Sequence, residues 1–467
     1  MNRPLIAALL MASTALTACA SMAPAYEKPA LPVAQAWPDG AAAGQTISAA
    51  DLAWQEVYQD PRLQAVIQLA LDQNRDLRVA VLNIERAQAQ YRVQRASSLP
   101  SVDAGLSGSR SRTPGEVAGT PSAVEGESYS ASLGVTAYEL DFFGRVRGLN
   151  AAALQTYLAT AETRRAVQIS LIAETATAWA TLAADQDLLT VSQNTLKSSE
   201  ESLALTRRRQ EGGAANLLEV RQAETLAEQA RGDLAAAEAQ VARDRNVLTL
   251  LAGTDVPAGL LPAGDLAQLA IRHDLPAGVP SDVLARRPDV LAAEHRLQGM
   301  NANIGAARAA FFPRITLTAS AGAASTDLSG LFGGGSGAWS FAPAISLPIF
   351  DGGANSANLR VAKVDREVAL AQYEKTVQTA FREVSDALAT QTTLNRRLDA
   401  ATRLLIAAQD AERLSRIRYE QGIDSYLVLL DAQRTRYSAE KALVALWIVR
   451  AQTSAGLYKA LGGGATA

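Results

Sequence analysis

The chain has 467 residues, enough for about three ordinary domains, with 19% charged residues and a formal net charge of -3. That balance leaves no electrostatic footprint for nucleic acid. Aromatic residues make up only 5% while alanine is abundant, which suits long, closely packed helices better than one thick globular core.

Residues 1–18 read as a signal peptide: Arg3 supplies the positive n-region and Pro4 to Leu16 a short apolar run, too short to span a bilayer permanently. The run ends Leu16-Thr17-Ala18-Cys19, which resembles the lipobox of a bacterial lipoprotein. The resemblance implies that Cys19 carries a diacylglyceryl group and that Ala20, standing where an aspartate would retain the protein, directs it to the outer membrane. Cys19 is the only cysteine, so no intrachain disulfide can form. Residues 19–60 follow as a lipid-anchored tether, rich in Pro and Ala up to Gly44.

Helical periodicity starts at Asp60-Pro61, with Pro at a first-turn position and a stripe of Leu63, Val66, Ile67, Ala70 and Leu71. A second helix runs through Leu77 and Ala87 to about Ser98, where Leu99-Pro100 stops it. Alternation then takes over. Val102, Ala104 and Leu106 oppose Ser101, Asp103 and Ser107; a loop is expected from Arg112 to Glu127; Tyr129, Ala131, Leu133, Val135 and Ala137 then alternate with Ser130, Ser132, Gly134 and Thr136. A similar hairpin recurs at about 313–350, where Ile315, Leu317, Ala319, Ala321 and Ala323 lead through a Gly/Ser loop into Trp339, Phe341, Pro343, Ile345, Leu347 and Ile349. Arms of about 10 residues with period two suit strands that face lipid on one side and water on the other.

The recurrence extends beyond the hairpins. Arg207, Arg209, Glu211, Gly213 and Ala223 reappear at one constant spacing as Arg416, Arg418, Glu420, Gly422 and Ala432, and Glu174 as Glu383. The plan is mainly α with β, an internally duplicated helix, β-hairpin, long helix, turn and helix. The first repeat spans 61–252, with its hairpin at about 100–140 and its inter-helix tip at about 209–216. A Pro/Gly-rich linker covers 253–287, with Asp282 a candidate N-cap and Pro288 opening the next helix. The second repeat spans 288–456, with its tip at about 418–426, and a flexible tail is expected at 457–467. No proline interrupts Gly144 to Glu211 or Asn355 to Glu420. Helices that long, about 100 Å at 1.5 Å per residue, must pack side by side, with Ile172, Ala176, Trp179 and Ala183 at the required spacing.

Four strands cannot close a barrel, since bacterial barrels need about eight or more and an open edge in lipid leaves costly unpaired backbone groups. Oligomerisation is therefore expected. Phe142, Phe143, Phe311, Phe312 and Phe350 fall where strands meet helices, the place for an interfacial aromatic belt; ordinary packing at those junctions is the plain alternative.

At this point the residues resemble TolC-like outer-membrane efflux factors, in the lipid-anchored, NodT-type branch that serves resistance-nodulation-division pumps. The resemblance covers essentially the whole mature chain. It rests on Tyr26-Glu27-Lys28-Pro29, the run Tyr138-Glu139-Leu140-Asp141-Phe142-Phe143-Gly144, the run Arg286-Arg287-Pro288-Asp289-Val290, the stretch Asn303 to Pro313, and Tyr419-Glu420-Gln421-Gly422 through Arg434. It implies a homotrimer with a 12-stranded outer-membrane β-barrel continuing into a periplasmic α-helical barrel, and an equatorial region made of the linker and C-terminus. Its implied partners are a periplasmic adaptor (membrane fusion) protein, an inner-membrane resistance-nodulation-division transporter and outer-membrane lipid, with no nucleic acid. The implied function is passive conduction of small molecules such as drugs and toxic compounds. A type I protein-secretion outlet and a pore-free periplasmic scaffold lipoprotein are the alternatives.

No catalytic constellation or cofactor site is expected beyond the lipid on Cys19, since the two histidines, His273 and His295, stand in unrelated contexts. Gly333-Gly334-Gly335 lacks the Lys and Ser/Thr of a phosphate cradle and reads as an extracellular loop. The spacing of Leu427, Asp431 and Arg434 puts them on one face of the second return helix. By resemblance they form, with Tyr419, the gate at the closed periplasmic mouth: rings of Leu427 and Asp431, with Tyr419 and Arg434 tying neighbouring helices. A Leu ring can close by dewetting and an Asp ring favours cations; a local Asp431–Arg434 pair is the plain alternative. Gln222 and Thr225 stand at the matching places in the first repeat, which makes the expected gate asymmetric. Arg209, Glu211, Gly213, Arg418 and Gly422 at the tips are the candidate adaptor contacts, although the glycines also suit helix C-caps.

Overall fold

The structure is a computed structural model that describes residues 22–38 and 49–464. The signal segment and Cys19 lie outside the described residues. The described residues are mainly helical with one sheet, and the chain divides into two compact units. One comprises Met1–Ala30, Asn83–Thr160 and Ala292–Tyr373; the other comprises Leu31–Leu82, Ala161–Leu291 and Glu374–Ala467.

Among the described residues, seven helices are longer than two turns: α1 (Pro61–Gln73), α2 (Arg75–Ala96), α3 (Arg145–Glu211), α4 (Leu217–Ala252), α5 (Pro288–Ala309), α6 (Ala354–Glu420) and α7 (Tyr426–Ala460). Asp60 caps α1, its side chain accepting from the Arg62 amide at 2.8 Å, with Pro61 as the first helical residue. α3 and α6 have 67 residues each. Neither carries a strong amphipathic stripe along its length, so lateral packing rather than one wet face supports them. Ile172, Ala176, Trp179 and Ala183 on α3 are all buried, and the Trp179 indole donates to the Leu260 carbonyl at 3.0 Å.

In the first unit, strands β1 (Asp103–Thr113), β2 (Val124–Glu139), β3 (Arg314–Ser325) and β4 (Gly337–Ser346) form one antiparallel sheet in sequence order. The expected loop at 112–127 is shorter than the sequence suggested. The strands run to Thr113 and resume at Val124, because Arg112–Glu125 and Arg110–Glu127 are cross-strand partners whose opposite charges extend the ladder. Register separates the two faces. Leu106, Ala131, Leu133, Val135, Ile315, Leu317, Trp339, Phe341 and Ile345 share one face, while Ser107, Ser130, Ser132, Thr318, Ser320 and Ser340 share the other. Hydroxyl pairs Ser107–Ser130 and Ser320–Ser340, each at 2.8 Å, cross the polar face. A bulge between Val135 and Tyr138, with Ala137 at φ 50°, shifts the register so that Tyr138 joins the apolar face opposite Leu317. Among the described residues, β1 and β4 each pair on one side only.

Residues 22–28 make a strap docked on α5. Glu294 receives Lys28 at 2.8 Å and the Tyr26 hydroxyl at 3.4 Å; the Pro24 carbonyl accepts from Asn301 at 2.8 Å; the Met22 carbonyl accepts from Arg308 at 3.0 Å. Gly305 permits this approach, since a Cβ there would stand 2.6 Å from the Ala23 nitrogen. The strap thus steps along α5 toward β3 as residue number falls. The tether predicted from composition is, in this stretch, a bonded element.

Two boundary expectations change in the second unit. Asp282 lies in the first turn of a short helix, Pro280–Arg286, whose N-cap is Val279, because Pro280 fixes the first helical φ two residues earlier. The chain is packed beyond 457: α7 ends at Ala460, and Tyr458 is buried edge-on against Tyr58 with its hydroxyl donating to Leu52 at 2.7 Å. Residues 465–467 of the expected tail lie outside the described residues. Buried Arg287 ties the linker to both neighbours, donating to the Ala460 carbonyl at 2.6 Å and to Glu383 at 2.9 Å.

Candidate functional site

The α3–α4 and α6–α7 turns, both in the second unit, carry the predicted tip and gate residues. Each turn follows one pattern. Gly213 sits at φ 74° and Gly422 at φ 75°, left-handed conformations that a Cβ would strain. The Ala214 amide returns to the Arg209 carbonyl at 2.7 Å and the Ile423 amide to the Arg418 carbonyl at 2.9 Å. The glycines therefore act as C-caps, as their spacing predicts.

Tyr419 is the centre of the site. It is 1% exposed and belongs to a cluster with Ala223, Leu226, Tyr426, Leu429 and Leu430. Its ring meets Tyr426 edge-on at 5.5 Å, and its hydroxyl lies 3.0 Å from Thr206 Oγ1. The Arg209 guanidinium stacks over the ring at 4.5 Å and donates to the Tyr419 carbonyl. Arg209 is thus half-buried and engaged within the chain, a placement that differs from that of a free surface contact. Sequence reasoning missed Thr206 and Tyr426. The signal was present in the two-turn interval from Tyr419 to Tyr426, which the intervening turn obscures.

Leu427, Asp431 and Arg434 are all exposed on α7, Leu427 at 58%. No hydrogen bond or ion pair joins Asp431 to Arg434, or either of them to another described residue. The local pair offered as the plain alternative is absent from this conformation. Glu211, Gly213, Arg418 and Gly422 are exposed, with Arg418 bound to Asp424 at 2.6 and 2.9 Å.

Above the turns, α6 and α7 are fastened by Glu412, which is 4% exposed and receives Arg416 and Arg436, each at 2.7 Å. Burial alone would raise its carboxyl; the two guanidinium groups outweigh that and hold it below the usual range. A cavity of about 430 Å³ lies beside it, lined by Ser198, Gln433, Arg434 and Tyr437 among others. Nearer the other end of α4, Asp244 is buried with Oδ1 accepting from Gln240 at 2.8 Å. Burial and a hydrogen bond to Asp244 push the Asp185 carboxyl up to about 7.

In the first unit, the predicted belt residues gather at the strand–helix junctions. Phe143 and Phe312 stack at 5.0 Å; Phe142 and Phe311 are exposed, and Phe350 is 91% exposed. Glu139, on the polar face, binds Arg145 at 2.7 Å and Arg314 at 2.7 Å. The Met22 end of the strap shares a cavity with Arg308, Phe311 and Phe312. His295 Nδ1 lies 2.7 Å from Gln155 and His273 Nδ1 lies 2.7 Å from Ser454. Burial lowers His273 to about 4, so it stays neutral.

This geometry agrees with what the chain is similar to. The family model described as "Outer membrane efflux protein" matches residues 66–254 and 279–463. The toluene efflux pump outer membrane protein TtgC of Pseudomonas putida is 49% identical over 450 residues, covering 95% of this chain and 92% of that one. Outer membrane protein OprJ of Pseudomonas aeruginosa is 45% identical over 459 residues, covering 98% and 95%. Among solved structures, the open state of the Neisseria gonorrhoeae MtrE outer membrane channel superposes with a TM-score of 0.85 at 42% identity, covering 95% of this chain and 98% of that one. With both matched segments spanning most of its length, this chain belongs to the outer membrane efflux protein family.

Proposed function

We propose that the protein is the outer-membrane channel of a tripartite efflux system, passively conducting small molecules from periplasm to exterior. The observation that carries this reading is the sheet: four strands with one apolar and one polar face and two unpaired edges, in a chain of the outer membrane efflux family. An open edge is costly in lipid, so copies must join. Three copies give a 12-stranded barrel, and their long helices give a periplasmic tube. The equal 67-residue lengths of α3 and α6 support an origin by duplication.

The strap supports lipid anchoring. Cys19 precedes Met22 by three residues, about 10 Å of extended chain, and Met22 lies beside the exposed Phe311 and Phe312. In this reading the acyl group enters the membrane next to the aromatic belt, and the strap holds it there. Leu427, Asp431 and Arg434 form the periplasmic gate, since all three are exposed and neither charge has a hydrogen bond or ion pair among the described residues. Tyr419 acts from behind this surface, by fixing the tip to Arg209. Glu211, Gly213, Arg418 and Gly422 meet a periplasmic adaptor, which links the channel to an inner-membrane resistance-nodulation-division transporter.

The purified protein, reconstituted in planar bilayers, is expected to give discrete conductance steps and to cross-link as a trimer. A monomer without conductance would leave a pore-free scaffold as the better reading. Normal drug resistance in a deletion strain, with conductance intact, would point to protein secretion instead.

A further inference from the structure

We propose that Arg110, Arg112, Glu125 and Glu127 form a binding surface for the phosphate-bearing glycolipid headgroups of the outer leaflet, together with the divalent cations that bridge them. The proposal rests on the membrane reading above.

Its first support is where the charges fall. Arg110 and Arg112 pair in register with Glu127 and Glu125, and alternation places all four on the face that carries Leu106, Ala131 and Leu133 lower down. Every other position of that face, from Ala104 and Ile345 up to Tyr129 and Ser325, is uncharged. The polar face at the same two rungs carries only Ser109, Ser111, Gly126 and Ser128. Charges that served only to solvate an emerging hairpin would have no reason to prefer one face. These occupy the lipid-facing side and start where its apolar band stops.

Tyr129 marks that boundary. Its ring lies against Gly108 on the neighbouring strand, and its hydroxyl donates to Glu127 at 3.3 Å. An amphipathic ring of this kind suits the hydrocarbon–headgroup boundary. The two charged rungs stand about 7 and 13 Å beyond it along the strand, which is headgroup depth.

The internal pairs align the two rungs but leave most of each arginine open. Arg110 meets Glu125 and Glu127 at 3.2 Å each, and Arg112 meets Glu125 at 3.7 Å. The arginine side chains remain 69% and 72% exposed, and exposed pairs of this kind add little stability. Their exposed guanidinium groups suit phosphate contacts. Two arginines with two glutamates carry no net charge, so the surface does not fit a bare anion. It fits an ionic layer presenting phosphates to the arginines and bridging divalent cations to the carboxylates. The apolar band below supplies the wall for the acyl chains of the same molecules.

The test uses the full-length oligomer in detergent, incubated with diphosphorylated lipid A and Mg²⁺ and read by native mass spectrometry. R110Q/R112Q is expected to retain lipid A about tenfold less than the unaltered protein, as loss of two charge-assisted contacts implies, while R413Q on α6 retains it fully. Chelating Mg²⁺ is expected to release lipid from the unaltered protein but to change little in E125Q/E127Q. Equal retention by R110Q/R112Q, or displacement by millimolar inorganic phosphate alone, overturns the site. Conductance measured on the same samples separates the two readings. An oligomer that conducts but holds no lipid A refutes this surface only; one that never conducts refutes the channel reading on which it rests.

Discussion

The two inter-helix tips share a backbone and differ in chemistry. Both turn through a left-handed glycine, Gly213 or Gly422, and in both the next amide returns to a carbonyl five residues earlier. Yet Arg209 of the first tip reaches across to the Tyr419 ring and carbonyl, whereas Arg418, its counterpart, closes on Asp424 of its own turn. Beyond the turns, the first return helix carries Gln222 and Thr225 where the second carries Asp431 and Arg434. The first tip holds and the second presents. In the gate proposed above, the work divides between a clamp and a charged face while the turns that support them keep one backbone form.

The deepest way to break this division is Tyr419→Ala. Truncating a buried aromatic costs about 3 to 5 kcal/mol, so the tip cluster should loosen. Hydrogen exchange at 203–226 and 419–430 should accelerate sharply; protection unchanged from the parent would remove Tyr419 from the centre of the site. Next comes Arg209→Lys, which keeps the charge but loses the planar stack and fork. Its expected cost is about 1 to 2 kcal/mol, read as a lower denaturation midpoint, with Arg207→Lys as a near-neutral comparison.

Asp431→Ala with Arg434→Ala tests the presenting side. Single-channel conductance should rise while stability stays close to the parent, because neither side chain has a hydrogen bond or ion pair among the described residues; the matching Gln222→Ala/Thr225→Ala pair should leave conductance unchanged. Equal effects from both pairs would erase the asymmetry.

The carboxyls of the helical unit give opposite pH signatures. Asp185 has its pKa raised to about 7, so the folded chain binds more protons than the unfolded chain between the ordinary carboxyl range and pH 7. Its contribution is fully present below that range and is lost as pH rises to about 7. Asp185→Asn should flatten that decline in a melting-temperature series. Glu412 is lowered, so its contribution is present above its ordinary pKa and lost as pH falls below it; Glu412→Gln should blunt acid sensitivity instead. The smallest effect is expected for Arg418→Gln. Its pairing is with an exposed turn, so melting should scarcely move, while binding to an adaptor, measured by surface plasmon resonance, should weaken.

Much of this was legible before any coordinates. Period-two alternation located all four strands, and the proline-free runs gave α3 and α6 nearly to the residue, because both signals follow from local geometry. The constant repeat spacing located both tips. Three features were not legible. The extension of β1 and β2 depends on Arg110 and Arg112 meeting Glu127 and Glu125 across strands, a relation that turn composition does not report. The strap depends on Gly305 of a distant helix admitting Ala23. The inward turn of Arg209 depends on Tyr419, which lies 210 residues later.

The sequence by itself determined which stretches are strand and which are long helix, where the chain turns, and, in the proposed reading, that a four-stranded two-faced sheet demands further copies. Those properties follow from periodicity, breakers and the cost of an unpaired edge. Tertiary structure decided which side chains are available. It buried Tyr419, engaged Arg209, left Asp431 and Arg434 exposed without an ion pair among the described residues, and set four charges in a row above an apolar face. Such outcomes depend on distances between residues far apart in the chain, which no local pattern encodes.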